Sequence, residues 1–271
     1  MATAVGIFDS GVGGLTVAAA LHRLLPALPI RYIADTAYFP YGERSAAEVE
    51  ERSHALTTRL IAEGCDLVVV ACNTASSAAL ERLRAEFAST PIVGMEPPLK
   101  PAVERTRTKR VAVLATPGTV SGERLARLRD AHGGDVDVVT LAMPGLADLV
   151  EGGEVDGVRV ESMLRGALDA AGDGVDEVAL GCTHYGFLRP ALEAMVGEHV
   201  EVLDAAEPVA RRVHHQLKAH DLDVPEGAEV AVQADATGNI EAFRETVARL
   251  RAAHASLPPI EFGAGGERGT A

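Results

Sequence analysis

Two short stretches carry the most reactive side chains of the chain. In "LVVVACNTASS" (67–77) an apolar run ends on Cys72, Asn73 and Thr74, and in "EVALGCTHY" (177–185) another ends on Cys182, Thr183 and His184. A cysteine that only fills space belongs inside such a run, where it packs as a small hydrophobe. These two stand at the exits, 110 residues apart, each followed by polar residues that include a threonine. One thiolate beside an imidazole would suit a Cys–His hydrolase attacking an acyl carbon. Two thiols in matching places suit another task, in which one base takes a proton from a carbon and an acid on the opposite face returns one. That is racemisation. A thiol's ordinary pKa of about 8.5 falls at helix amino-termini and beside cations, so either sulfur could serve as base or acid near neutrality. A helix beginning after Cys72 is expected to ease ionisation of that thiol.

Other chemistries fit less well. Zinc sites recruit Cys-x-x-Cys or His-x3–5-His pairs; no Cys-x-x-Cys occurs, and the histidine spacing of that kind, His214 or His215 with His220, has no cysteine near it in sequence. Without Cys-x-x-Cys, dithiol redox chemistry is disfavoured too. "FDSGVGG" (8–14) resembles a nucleotide-binding turn, but Thr16 stands where the third glycine of G-x-G-x-x-G belongs, and the Walker lysine is absent. A tight strand-to-helix turn accounts for its glycines. It leaves Asp9 and Ser10 as an acid and a hydroxyl at a helix start. "ADTAYFPYG" (34–42) reads as a loop whose Tyr41-Gly42 turn could offer backbone N–H groups to an anion. Glu151, Glu154 and Asp156 read as solvated acids by composition, and Cys65 as a thiol with no polar partner adjacent. The neighbouring His214 and His215 cannot share a ligand across a helix turn, and "RTRTKR" (105–110) reads as a solvated basic loop.

These residues need strands that end together. Short apolar runs alternate with amphipathic stretches, the pattern of βαβ units around parallel sheets. Strands are predicted at 4–9, 30–35, 67–72, 91–95, 110–116, 137–142, 177–182 and 200–205. Helices are predicted at 15–25, 45–63, 75–88, 119–132, 155–171, 187–197, 205–218 and 239–254, with Ser45, Ser121 and Asp204 as amino-terminal caps. The Gly-rich stretch 262–271 is expected to fray. Ligands of open parallel sheets bind beyond the strands' carboxyl ends, where Asp9, Cys72, Thr116, Thr119 and Cys182 fall. The likeness of the two cysteine stretches fits a pair of similar half-proteins facing one cleft, or coincidence between two strand ends.

The 271 residues, 47% of them hydrophobic, suffice for one large domain or two small ones, and we expect two. A net charge of −14 would repel a phosphate backbone, which disfavours direct nucleic-acid binding. No secretion signal and no apolar run of membrane-spanning length is present, so a cytoplasmic protein with three free cysteines is expected.

Taken together, these motifs resemble the glutamate racemases of the aspartate/glutamate racemase family. "GIFDSGVGGLTV", "YIADTAYFPYG", "ACNTAS", "VAVLATPGTV", "LVEGGEVDG", "GCTHY" and "ATGN" carry the resemblance across nearly the whole chain. It implies two similar α/β domains around a cleft, 1–97 plus 207–271 and 98–206, the last part of the chain returning to the first. It implies Cys72 and Cys182 as the catalytic pair, Cys72 acting on D-glutamate and Cys182 on L-glutamate. Asp9 and His184 would assist, and Glu151 would support His184, which raises Glu151 above its compositional reading. Ser10, Tyr41, Gly42, Asn73, Thr74 and Thr183 match substrate-holding positions, with Thr116 and Thr119 as weaker matches. No pyridoxal phosphate, metal or nucleotide is implied in catalysis, and the product would supply peptidoglycan synthesis. His184 favours glutamate over aspartate, since aspartate racemases typically carry an acid there. Gly186-Phe187 stands where Pro-Leu is usual, and "GMEPPLKPA" (94–102) is an unusual version of its loop. A homodimer is expected. An aspartate racemase, and a regulatory protein that binds DNA gyrase on the same fold, are the alternative readings.

Overall fold

The computed structural model describes residues 3–253 and 256–263. The chain begins with β1 (Val5–Asp9), α1 (Leu15–Leu24), β2 (Ile30–Ala34), α2 (Ala46–Ala62), β3 (Leu67–Val70), α3 (Asn73–Glu86) and β4 (Ile92–Val93). Next come α4 (Leu99–Arg105), β5 (Arg110–Ala115), α5 (Pro117–Val120), α6 (Glu123–His132) and β6 (Asp137–Ala142). They are followed by α7 (Leu146–Glu151), α8 (Val158–Ala171), β7 (Glu177–Gly181), α9 (Arg189–Val196) and β8 (Glu201–Leu203). The last described elements are α10 (Ala206–Ala219), β9 (Val232–Ala236), α11 (Ile240–Ala253) and β10 (Ile260–Phe262).

The strands form two sheets, β10-β9-β2-β1-β3-β4 and β6-β5-β7-β8, parallel at every pairing. The second sheet repeats the order of the β2-β1-β3-β4 part of the first. In each unit the third strand in chain order, β3 or β7, leads to a cysteine and pairs with the first. The likeness between the two cysteine stretches thus extends to topology. Register brings the chemistry level: Asp9 is opposite Ala34 and Phe8 opposite Val70, while Ala115 is opposite Gly181.

Burial on both faces explains the near-continuous apolar strands. "VGIFD" and "LVVV" are buried throughout. One apolar cluster joins residues of both sheets and of α1, α7, α8, α10 and α11, and separate clusters lie under α2 and α3 and under α4 and α6. Local signals set several ends. Ser45 caps α2 with a full capping box: its side chain accepts from the Glu48 N–H, and Glu48 accepts from the Ser45 N–H at 3.0 Å.

Some expectations need correction. The stretch 119–132 is two helices, because Thr116 caps the short α5 and Gly122, in extended backbone, starts α6. Ser121 therefore ends a helix and does not begin one. Ala205 stands at the α10 cap, though Asp204 still accepts the Ala206 N–H at 2.8 Å. The helix expected over 187–197 is present as α9, and the unexpected 3-10 turn Thr183–Leu188 leads into it. β9, β10, α4 and α7 were not predicted. The loop 105–110 is not simply solvated, since Thr106, Thr108 and two backbone N–H groups wrap the Asp176 carboxylate. The expected fraying falls mainly on 264–271, outside the described residues; Phe262 is in β10.

Candidate active site

Cys72 and Cys182 occupy equivalent backbone positions. Each follows its strand in extended conformation (φ −138°, ψ 124° and φ −145°, ψ 136°), Cys72 at the start of α3 and Cys182 at the start of the 3-10 turn. Both are buried, at 6% and 8% exposure, and both line one cavity between the carboxyl edges of the two sheets. Ser10, Asn73, Thr74, Thr183 and His184 line it with them. Tyr41 and Gly42 reach it from the loop after β2, and Thr116 and Thr119 from the β5–α5 junction. Phe39, Pro40, Ala147 and Gly181 also line it. The first two belong to the loop that the sequence marks as ligand-lining, without being singled out there. Ala147, an unremarkable alanine, carries no chemical signal of its own. Cys65 is elsewhere, buried in the cluster under α2 and α3, and burial pushes its thiol up to about 12.

Asp9 and Glu151 stand behind the cavity wall. Asp9 is fully buried; its Oδ1 accepts the Ser10 N–H at 2.8 Å, and its Oδ2 accepts the Gly14 N–H at 2.6 Å and the Thr183 hydroxyl at 3.2 Å. Burial raises its pKa, against the pull of His184 and the two N–H groups. Glu151, at the end of α7, accepts the Val12 N–H and faces His184 Nε2, both at 3.0 Å. Composition alone marks Glu151 as solvated; its place under the histidine corrects that reading, and only the resemblance pointed to it.

The two thiols have different company. His184 Nδ1 lies 3.8 Å from Cys182 Sγ and 3.9 Å from Asp9 Oδ2. Burial works against its proton, yet the hydrogen bonds to Cys182 and Glu151 and the charge of Asp9 hold its pKa well above the ordinary value. Cys72 is raised well above the usual thiol range, first by burial and then by Asp9. The Ala75 N–H, at the start of α3, pulls the other way and is outweighed. The expected easing by the helix is therefore present but loses to desolvation.

The glycines of "FDSGVGG" are needed for more than a turn. A Cβ on Gly13 would stand 2.6 Å from Thr183 Oγ1 and 2.7 Å from Asp9 Oδ2, and closer still to His184 Nδ1. One on Gly11 would strike the Glu151 carboxylate. The turn brings backbone of the first half against side chains of the second.

Asn73 is 4% exposed, and neither its amide oxygen nor its amide nitrogen has a partner. Buried amides are nearly always hydrogen-bonded. An amide lining a cavity with both atoms free is suited to a ligand that both donates and accepts. Thr74 Oγ1 meets Thr116 Oγ1 at 3.0 Å and Thr119 Oγ1 at 3.3 Å, a hydroxyl clasp across the cleft. The cavity measures about 20 Å³, room for roughly one water.

A family model described as Asp/Glu/Hydantoin racemase matches residues 13–213. The chain belongs to this racemase family. It is 40% identical over 247 residues to a glutamate racemase of Ectopseudomonas mendocina, covering 91% of this chain and 94% of that one. A glutamate racemase structure from Thermus thermophilus superposes with a TM-score of 0.79 at 35% identity, over 96% of both chains. Another from Escherichia coli, solved with L-glutamate, gives 0.81 at 31% identity over 97% and 98%. In the racemase the Gly186-Phe187 pair after "GCTHY" does not line the cavity. Gly186 faces Thr16, where a Cβ would come within 3.1 Å of the threonine methyl, and Phe187 is buried. Among the described residues no helix is long and apolar enough to cross a membrane.

Proposed function

We propose that this racemase interconverts L- and D-glutamate by transferring protons between two thiols and the α-carbon. The observation that carries the reading is the pairing of Cys72 and Cys182 on one buried cavity, each delivered by the third strand of a repeated four-strand unit. The names of the relatives favour glutamate over other amino acids.

The α-carbon sits between the sulfurs, its ammonium and carboxylate held by Asn73, the threonine hydroxyls, Ser10 and the Tyr41–Gly42 backbone. With L-glutamate, Cys182 as thiolate removes the α-proton while Cys72 as thiol gives one from the opposite face. Mirror roles serve D-glutamate. Asp9, with its raised pKa, is placed to exchange a proton with Cys72, and the protonated His184, backed by Glu151, stabilises charge on Cys182. An α-carbanion is costly, and fixed dipoles in a water-poor cavity lower that cost more than solvent would. On this reading the cleft, which as it stands has room for about one water, opens for exchange of substrate and product. We take the chain crossings near 97 and 207 as the hinge between domains 1–97 plus 207–271 and 98–206. D-glutamate so formed would supply peptidoglycan synthesis.

Incubation with L-glutamate in D2O tests the reading, following optical rotation and the α-proton signal together, with aspartate in parallel. Racemisation with deuterium entering the product is expected for glutamate and not for aspartate. Replacing Cys72 or Cys182 by Ala should abolish it, while Cys65→Ala should not. Full activity in Cys72→Ala would refute the two-thiol assignment.

A further inference from the structure

We propose that Asp35 is a positioning residue for substrate, fixing the Tyr41–Gly42 segment of the cavity through the Tyr41 hydroxyl; the inference rests on the function proposed above. Asp35 follows β2 and is fully buried. Its Oδ1 accepts from Arg52 Nη2 at 2.9 Å and from Thr237 Oγ1 at 2.6 Å. Its Oδ2 accepts from Arg52 Nε at 3.1 Å and from the Tyr41 hydroxyl at 2.5 Å. Its backbone N–H donates to the Asp9 carbonyl at 2.8 Å, which ties it to the strand end that carries Asp9.

Arg52 and Thr237 alone would satisfy a buried carboxylate. The fourth donor comes from the cavity wall. The 3-10 turn Tyr41–Glu43 has weak bonds of its own, 3.5 Å from Glu43 N to Pro40 O and 3.2 Å from Arg44 N to Tyr41 O, and no side-chain cap. A charge-assisted bond is stronger than either, so the Asp35 tether fixes where this turn sits. On its other side the turn meets the second half of the molecule. A Cβ on Gly42 would come within 3.1 Å of Thr116 Cβ, and one on Gly118 within 3.1 Å of the Gly42 carbonyl oxygen. The Tyr41–Gly42 peptide is thereby held between Asp35 behind it and α5 across the cleft. A loosened tether leaves the thiols in place and misplaces the groups that hold substrate.

The test compares Tyr41→Phe, Asp35→Asn, the double variant and Thr237→Val. Losing a hydrogen bond to a charged group should raise KM about tenfold in Tyr41→Phe and in Asp35→Asn, with kcat within about twofold. The double variant should be no worse than the more severe single one. Thr237→Val removes a different bond to the same carboxylate together with the one that Thr237 Oγ1 accepts from the Ala37 N–H at 3.2 Å, and should lower the melting temperature with a smaller rise in KM than Tyr41→Phe. Wild-type KM in Tyr41→Phe, or a KM in Thr237→Val that rises as much as in Tyr41→Phe, would overturn the proposal. Amide hydrogen exchange on ligand-free protein gives a readout independent of activity, and it decides the matter if Asp35→Asn fails to fold. Faster exchange confined to residues 38–44 of Tyr41→Phe is expected; unchanged exchange, or an increase spread over the first sheet, would refute it. Should the unmodified protein not racemise glutamate, the proposed function fails, and the exchange result still decides the role of Asp35.

Discussion

Cys72 shows how a single residue's reactivity is set by competing terms. Burial and the Asp9 carboxylate disfavour its thiolate, and the Ala75 N–H only partly offsets them. A negative neighbour raises a thiol's pKa, so removing that charge must lower it. In Asp9→Asn the pH midpoint for alkylation of Cys72 by iodoacetamide, followed by mass spectrometry of its peptide, should move down, while racemisation falls. A midpoint that stays or rises would mean that Asp9 does not act on this thiol. Residue types and motif spacing pointed to the thiols, to Asp9 and to His184. They could not reveal that Asn73 has both amide atoms unpartnered, because satisfaction of a buried group is a property of everything around it. For the same reason Glu151 read as a surface acid: nothing local says that His184 and the Val12 N–H will converge on it.

At the scale of elements, long buried strands and long amphipathic helices were legible because burial on two faces, or on one helical stripe, leaves a strong pattern. β9, "VQADA", alternates Gln233 and Asp235 with its apolar residues as a strand buried on one face does, and so lacks the continuous apolar run that marks the central strands, while β10, Ile260–Phe262, is only three residues at a sheet edge. α4 contains Pro101, and α7 has only six residues, too few for a periodic signal. The "FDSGVGG" turn was located correctly but undervalued, since a sequence pattern shows that glycines make a turn and not what presses on them. Two substitutions separate these roles. Ser45→Ala removes the α2 cap and should cost about 1 kcal/mol of stability in a denaturant melt with activity intact. Gly13→Ala should retain the fold yet lower kcat about a hundredfold, because His184, Thr183 and Asp9 must shift to admit the methyl. Equal losses of stability and activity in both variants would contradict this division.

The whole molecule is two sheets that share an apolar cluster, meeting over a narrow cavity. Contacts across the cleft hold it shut: Thr183 to Asp9, the Val12 N–H to Glu151, and Thr74 to Thr116 and Thr119. On the function proposed, opening would break some of them in every turnover, and such motions often limit well-developed enzymes. Added sucrose should therefore slow kcat in proportion to solvent viscosity in the unmodified racemase. The dependence should vanish in Gly13→Ala, where chemistry is slow. Viscosity-independent turnover in both would place the slow step in proton transfer.

The unequal company of the two thiols, Asp9 on one side and His184 with Glu151 on the other, meets a constraint from outside the protein. Mirror-image substrates have identical free energies in water, so the equilibrium constant is unity, and the Haldane relation makes kcat/KM the same for the two enantiomers. Unequal supports can therefore redistribute kcat and KM within each direction but can never favour one direction in kcat/KM. Damage to His184 must slow the D-to-L reaction in kcat/KM by the same factor as the L-to-D reaction, even though the imidazole touches only one of the two sulfurs.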